Sequence, residues 1–548
     1  MERAPEHEAD VVVIGAGAAG LAAAIAAHDS GAKVALLEAS DCFGGTAAWS
    51  GGAAWVPLNG FARDAGIDDD RDSVLGYMRH CAEGRGDETL FAAYLDAGPE
   101  ALDYLSKATP IDFTVGTMPD YHGGVPGGML DLGKSRSVAP DVFDLNRLGE
   151  ARPLARRSPH GTMPFSFLET EEMKATIHPE RIDPSEYSAR LEKGLVGWGE
   201  ALAAGLFAGV VERGIALHPQ TRARRLLANG RVHGVEAETD HGRLSFLARR
   251  GVVLATGGFE WNAADMEENF PVGIEPATVP TNRGDGLAMA RQVDAALGNM
   301  QGLWGWPAYC IPGEVQPDGH PLVRTSLIER LMPHLICVNG QGQRFVDETQ
   351  SYHIILKHMT RRDAAGDYPN LPAFHVFDGQ FREKYPFGPV MPGQKDPSWL
   401  TGHPDLASLA EAKGISAADL EQTVAEYNAA VMRGHDDAFG RGGGGYAAFF
   451  GDRDNPGHPN LGTIEKPPFY AVEMIPATIG TCGGPLFDPA ARVLGRDGHP
   501  IAGLYAAGNV TAAFSGPSYF GPGCTLGAAL IFGVTAGRSA ARDEVSDV

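Results

Sequence analysis

Two glycine-rich segments, one near each end of the chain, most constrain what it can fold into. The first is Asp10-Val-Val-Val-Ile-Gly15-Ala-Gly17-Ala-Ala-Gly20, followed by Glu38 and Gly44-Gly45-Thr46. The second is Gly503-Leu-Tyr-Ala-Ala-Gly508-Asn509, followed by Tyr519-Phe-Gly-Pro-Gly523-Cys-Thr-Leu-Gly527. Residues 10–15 read as a buried strand, 18–29 as an Ala-rich helix and 33–38 as a second strand, so the glycines fall at the first turn of a βαβ unit. Gly15 permits the tight turn, Gly17 lets backbone approach a diphosphate, and Gly20 lets the helix pack on the strand. The helix start offers free N–H groups and a positive dipole end to that diphosphate, and Glu38 can accept ribose hydroxyls. These features predict a bound dinucleotide. Gly44-Gly45-Thr46 just after Glu38, and the distant Ala506-Ala507-Gly508-Asn509, favour FAD over NAD, because the chain returns to the nucleotide near its end. A closing helix from Thr525-Leu526 would aim its N-terminus at the flavin pyrimidine edge and favour negative charge on the reduced ring.

A chain of 548 residues predicts two or three domains. The expected fold is α/β: a Rossmann-like FAD-binding domain of the glutathione-reductase type, interrupted by an inserted α+β substrate domain. The expected division is 1–278 and 466–548 for the two parts of the FAD domain and 279–465 for the insertion. Residues 197–213 carry helical periodicity. Ile215–Leu217, Thr221–Leu227, Arg231–Thr239 and Leu244–Leu247 alternate like a meander of short strands, and Gly251–Gly258 reads as an apolar strand ending in glycines. Trp304, Trp306 and Tyr309 fall in a stretch that reads as loop-rich. Leu335–Val338, Tyr470–Ile475 and Leu504–Ala507 read as strands, 415–434 and 524–541 as helices, and the Gly/Pro/Asp-rich run Gly440–Pro468 as a boundary.

Composition narrows the partners. A formal net charge of −24 argues against nucleic acid and gives no attraction to an anionic bilayer. None of the six Cys forms a C-x-x-C pair, so no metal, iron–sulfur or haem site is expected, and so few Cys suit a reducing compartment. The start, Met1–Ala9, is charged and has no secretory apolar region. No run reaches the ~20 apolar residues of a membrane span. The expectation is a cytoplasmic protein with no integral membrane segment.

The chain resembles the fumarate reductase/succinate dehydrogenase flavoprotein superfamily over nearly its whole length and, within it, the bacterial 3-ketosteroid Δ1-dehydrogenases. The residues that carry the resemblance are Gly44-Gly-Thr-Ala-Ala-Trp-Ser-Gly-Gly52 with Trp55-Val-Pro57-Leu-Asn59, Pro119-Asp-Tyr121-His with Pro126-Gly-Gly128, Arg344-Phe-Val-Asp-Glu-Thr-Gln-Ser-Tyr352, and Ser518-Tyr519-Phe-Gly-Pro-Gly523-Cys-Thr-Leu-Gly527. The resemblance implies a 1,2-dehydrogenation of a 3-ketosteroid, with the C1 hydride passing to flavin N5. Tyr519 and Gly523 would hold the C3 oxygen, Tyr352 would take the C2 proton, and Tyr121 would support Tyr352. Fumarate reductases place arginines where Tyr352 and Tyr519 stand here; guanidinium groups suit dicarboxylates, whereas two phenols suit a neutral apolar ketone. Covalent-FAD members carry His where this chain has Gly45, so the FAD is expected to be non-covalent.

The candidate cofactor-binding set is Gly15, Gly17, Ala18, Ala19, Gly20, Glu38, Ala39, Ser40, Gly44, Gly45, Thr46, Ser50, Gly51, Gly52, Ala223, Ala255, Thr256, Gly257, Gly258, Asn282, Asp285, Gly508, Asn509, Thr525 and Leu526. An external electron acceptor is implied, a quinone being one class. Departures from the family pattern are Asp347 in place of the usual Asn, and the segments 130–185 and 434–453, which carry no recognisable motif. The competing readings are a 4-dehydrogenase of 5α-steroids, an enoate reductase of the fumarate-reductase type, and a non-catalytic flavin electron-transfer subunit. A phenol titrates near ~10, so a tyrosine base working at about pH 8 needs ~2 units of help. Trp49 and Trp55 read as packing under the flavin loop, Trp304, Trp306 and Tyr309 as pocket wall or interdomain core, Cys524 as space filling, and His122 and His353 as carrying no chemical role.

Overall fold

A computed structural model describes residues 6–270, 272–316 and 318–545, so residues 1–5 of the charged start lie outside the described residues. The strand Glu6–Ile14 ends in a run buried on both faces, as a strand inside a parallel sheet must be. It pairs in parallel with Val34–Leu37 on one side and with Gly242–Leu254 on the other. Between the first two strands runs the helix Ala18–Asp29, whose residues 18–27 are all buried. Small side chains let another helix lie directly against it. The C-terminal helix Cys524–Arg542 does so: a Cβ at Gly533 would stand 2.6 Å from the Ala19 carbonyl oxygen, and one at Gly537 would stand 2.2 Å from that of Ala23. Backbone contact between the first and last helices carries the chain end back to its beginning.

The main sheet runs in the spatial order 492–494, 500–506, 242–254, 6–14, 34–37, 216–218, with 232–239 and 222–228 added along the first half of 242–254. Two expectations change here. Leu244–Leu247 and the start of Gly251–Gly258 are one 13-residue strand, which ends at Leu254. Its first half pairs antiparallel with Val232–Thr239, and its second half lies between Glu6–Ile14 and Pro500–Ala506. The texture switches from alternating to continuously apolar because the strand leaves a half-exposed ribbon and enters a sheet covered on both faces. The strand Ala216–His218 is not part of the meander; it extends the parallel sheet beside Val34–Leu37.

A second sheet has the order 321–325, 303–315, 470–481, 373–377, 335–339, with 275–276 beside 470–481. It is built from residues that lie between the strands 242–254 and 500–506 of the first sheet. Trp304, Trp306 and Tyr309, expected in loops, lie on its 13-residue strand Leu303–Val315. Gly305 and Pro307 disguise that strand, and a register shift falls between Trp304 and Gly305. The Gly440–Pro468 stretch, expected as a boundary, contains the helix Gly445–Phe450, with Tyr446, Ala447 and Phe450 buried. The motif-free 130–185 segment supplies the strand Ser137–Pro140 and the helices Phe167–Glu172 and Pro184–Glu192. The C-terminal helix is long and apolar enough to cross a membrane by length and composition, contrary to the reading of the sequence, but 67% of its apolar window is buried inside the fold.

Candidate active site

One cleft runs from the first glycine turn to the second sheet. At its head Gly15 adopts φ +99°, and a Cβ there would stand 2.4 Å from the Ala255 carbonyl oxygen. Gly17 and Gly45 face each other backbone to backbone: a Cβ on Gly45 would reach within 2.9 Å of Gly17 Cα, and a Cβ on Gly17 would project into the open gap. The helix Ala18–Asp29 begins here without a side-chain cap, so its free N–H groups open on a cradle that only glycines leave empty. Glu38 is buried on the cleft wall; its Oε2 accepts from Ala16 N at 2.9 Å and its Oε1 from Ser40 N at 2.9 Å. Thr256 Oγ1 and Trp198 Nε1 are buried on the same cleft with no partner in the protein. A glycine cradle, an uncapped helix start and orphaned polar atoms fit a diphosphate-linked dinucleotide.

Of the expected cofactor set, Gly15, Gly17, Ala18, Ala19, Glu38, Ala39, Gly45, Thr46, Ser50, Gly51, Gly52, Ala223, Ala255, Thr256, Gly257, Asn282, Asp285, Gly508, Asn509, Thr525 and Leu526 line this cleft. Four do not, and each stands behind the wall. Gly20 packs against the Gly15 carbonyl, where a Cβ would come to 1.8 Å. Gly258 packs on Glu260 and Thr481. Ser40 is spent on Glu38 and the Cys42 carbonyl, and Gly44 donates its N–H to the Ala16 carbonyl. Asp285 forms an ion pair with Arg222 at 2.9 Å, and Asn282 Nδ2 donates to Glu260 at 2.7 Å and Thr46 at 3.2 Å.

Farther along the cleft three tyrosines from three remote segments converge. Tyr121 lies in a turn, Tyr352 is the first residue of the helix Tyr352–Met359, and Tyr519 lies in the loop before the C-terminal helix. The Tyr121 hydroxyl donates to the Tyr352 hydroxyl at 3.0 Å. The Tyr121 and Tyr519 rings stack at 5.5 Å, and the Tyr352 ring meets both edge-on at 5.3 and 5.7 Å. Gly523 caps the 19-residue C-terminal helix at φ +80°, also on the cleft, with no side-chain cap over the helix start. Burial pushes the Tyr352 and Tyr121 phenols well above the ordinary range, with neighbouring phenols adding to the effect, and pushes Tyr519 up to about 12. In the protein alone all three are neutral at pH 7.

Charged networks outside the cleft hold these side chains in place. Glu348 is fully buried, accepts hydrogen bonds from Arg344 at 2.7 and 2.8 Å and from Cys337 N, and forms an ion pair with Arg441 at 2.8 Å. Arg344 also pairs with Asp436 at 2.9 Å. Four residues after Glu348 the chain reaches Tyr352, so this network anchors the base of its helix. Asp347 serves the same segment: one carboxylate oxygen accepts from Thr349 N and Oγ1, so the acid does the turn-forming work of an Asn. Before Tyr121, Asp120 is buried; it accepts from Trp55 Nε1 at 2.7 Å and pairs with Arg136, which also pairs with Asp69 at 2.7 Å. Trp55 therefore supports Tyr121 and does not line the cleft, whereas Trp49 lines it. Trp304 donates to the Ser518 carbonyl and packs edge-on against Tyr519, while Trp306 and Tyr309 line the cleft. His122 and His353 are buried or nearly so close to Tyr519, and burial lowers them to about 4 and about 3, which keeps both neutral.

Sequence reasoning missed Tyr446, whose ring stands edge-on to Tyr121 at 5.2 Å and whose hydroxyl receives the fully buried Arg330 at 3.4 Å. It also missed Phe450 and Glu171, which line the cleft from the two motif-free segments. The one signal was aromatic: Tyr446, Phe449 and Phe450 stand together in an otherwise Gly-rich run.

Residues 10–526 match the model of a family described as FAD binding domain. The chain is 36% identical to a 4-oxocyclohexanecarboxylate 2-dehydrogenase of Sinomonas cyclohexanicum, over 98% of this chain and 93% of that one. It is 34% identical to a 3-oxosteroid 1-dehydrogenase of Mycobacterium tuberculosis, over 97% of this chain and 98% of that one. Among solved structures it is similar to a 3-ketosteroid Δ1-dehydrogenase from Sterolibacterium denitrificans in complex with 1,4-androstadiene-3,17-dione. That match has a TM-score of 0.89 and 33% identity and covers 97% of this chain and 99% of that one.

Proposed function

This chain belongs to the FAD binding domain family of flavoproteins, and from that premise we propose that it is an FAD-dependent oxidoreductase that introduces the 1,2-double bond into 3-ketosteroids. The observation that carries the reading is the Tyr121–Tyr352 hydroxyl pair at 3.0 Å, beside Tyr519 and Gly523 in the same cleft as the dinucleotide cradle. Bound FAD supplies the acceptor for the hydride that leaves C1. The protein's own part is acid–base and electrostatic. The Tyr352 oxygen, as phenolate, takes the C2 proton, and the electron pair of that C–H bond moves toward the C3 carbonyl. The Tyr519 hydroxyl and the Gly523 N–H donate to the C3 oxygen as charge builds there, and one such donor is worth about 3–4 kcal/mol of barrier. Departure of hydride from C1 completes the C1=C2 bond and restores the ketone.

Tyr121 donates to the Tyr352 oxygen and so favours its ionised form. That help matters, because burial, with the electrostatics of the neighbouring phenols, drives the Tyr352 phenol the other way. A tyrosine still suits the site better than a carboxylate, since a phenol sits beside an apolar substrate at a smaller desolvation cost. Tyr352 and Tyr519 stand where a reductase of dicarboxylates would need guanidinium groups, which weighs against that alternative. Electrons then leave to an external acceptor, of which a quinone is one class.

The test is anaerobic mixing of the purified yellow protein with 4-androstene-3,17-dione and, separately, with a saturated 5α-3-ketosteroid. Flavin bleaching with formation of a Δ1-3-ketone, identified by mass and ultraviolet spectrum, is the expected result. A Δ4 product would move the assignment to a 4-dehydrogenase, and bleaching with neither ketone would remove the steroid reading. Tyr352→Phe is expected to retain FAD and lose nearly all turnover.

A further inference from the structure

The cleft wall holds a carboxyl that the mechanism does not use. Glu171 sits on the helix Phe167–Glu172 and lines the cleft. Its side chain makes no hydrogen bond or ion pair among the described residues. The guanidinium groups on the cleft wall are already committed. Among the described residues only Arg222 and Arg324 bring guanidinium groups to the cleft wall. Arg222 is paired with Asp285, and Arg324 is held by Glu314 through two bonds of 2.6 and 3.1 Å. His160, also on the wall, is lowered by burial to about 4 and carries no charge at pH 7. A second acid on the wall, Glu329, accepts from the Tyr309 hydroxyl at 2.9 Å. An anionic substrate would therefore meet an unpaired acid and no unpaired cation.

We propose that Glu171 is a specificity-determining residue that turns carboxylate-bearing substrates away, so that the cleft takes uncharged ring ketones. The inference rests on the proposed ketone dehydrogenation and adds the charge class of its substrate. It distinguishes this chain from the relative named for a cyclohexanecarboxylate, although both reactions desaturate a ring next to a ketone.

The groups facing Glu171 set the direction of its pH dependence. Burial raises its carboxyl to about 7, and Arg453, whose Nε donates to the Ala448 carbonyl, acts against that rise. On its own helix Glu169 is occupied by Ser166 N and Arg190, and Glu172 points to solvent. Glu171 is therefore neutral below about pH 7 and charged above it, while a carboxylic acid substrate stays ionised throughout that range.

The experiment compares two matched pairs on the FAD-loaded enzyme at pH 6 and pH 8. One pair is a 3-oxo-4-ene steroid with a side-chain carboxylic acid and its methyl ester; the other is 4-oxocyclohexanecarboxylate and its methyl ester. The readout is the acid-to-ester ratio of kcat/KM, which cancels the ionisation of Tyr352. Perturbation of the flavin spectrum gives the same ratio as affinities for ligands that are not turned over. Wild type is expected to favour ester over acid by roughly tenfold or more at pH 8, with the gap narrowing at pH 6. In Glu171→Gln the gap is expected to be small and equal at both pH values. A wild-type ratio near one at pH 8, or a Gln variant with the wild-type ratio and pH trend, would overturn the proposal. The wild-type pH trend needs no variant, so a misfolded Gln protein would not blunt the test. Ester-favoured turnover confined to the cyclohexanone pair would refute the steroid reading and leave the role of Glu171 standing.

Discussion

Tyr121→Phe is the sharpest test of the phenol pair. The substitution removes one hydroxyl and leaves the ring, whose contacts with Tyr352, Tyr446 and Tyr519 are all aromatic. What is lost is the 3.0 Å hydrogen bond to the Tyr352 oxygen. A hydrogen bond to an ionised acceptor contributes about 1.5–3 kcal/mol. At ~1.36 kcal/mol per unit, its loss raises the Tyr352 ionisation by ~1–2 units. Only the phenolate takes the proton, so below that ionisation kcat/KM falls by the same factor, about 10- to 150-fold. The sign is fixed: a base with a raised pKa is active at high pH, so kcat/KM should climb with pH and the Phe variant should climb later. Stopped-flow bleaching of the flavin from pH 6 to 11, under anaerobic conditions, reads both curves. Two curves that coincide, or a Phe curve lowered equally at every pH including the alkaline plateau, would refute the argument that Tyr121 acts by stabilising ionised Tyr352.

Two further outcomes follow from geometry. Gly523→Ala places a Cβ 1.9 Å from the Ala53 carbonyl oxygen at φ +80°. The left-handed backbone alone costs about 1–2 kcal/mol, so thermal unfolding should show a clear loss of stability, and kcat should fall ~100-fold or more as the C3-oxygen donor shifts; an unchanged kcat would reject Gly523 as a donor. Glu348→Gln leaves Arg344 and Arg441 with one fewer buried anion and should cost about 3–5 kcal/mol in denaturant unfolding. Burial pushes Glu348 up, but the two guanidiniums more than reverse this and hold it at about 2. Its contribution to stability is therefore complete above about 4.5 and lost as pH falls toward 2; the Gln variant should lack that part of the acid transition.

The βαβ start was legible because its signal is local: glycines at a turn, an Ala run at helical length and an apolar strand lie within thirty-odd residues of one another. The parts misread were those whose texture depends on distant neighbours. Gly242–Leu254 looked like two strands because two different environments share one. Leu303–Val315 looked like a loop because Trp, Gly and Pro suit its place beside Tyr470–Thr481 but not an isolated strand. The helix bearing Tyr446 hid in a Gly-rich run that is pinned by Arg441 at a distance.

By itself the sequence determined a dinucleotide cradle at both chain ends and tyrosines at positions 121, 352 and 519, since backbone freedom and residue type belong to each residue alone. Only the tertiary structure decided that those phenols touch, that Gly20, Ser40, Gly44 and Gly258 stand behind the wall, and that Glu171 faces the cleft unpaired. Contacts between residues hundreds of positions apart depend on which strands pair and which helices pack, and no local spacing encodes those distances.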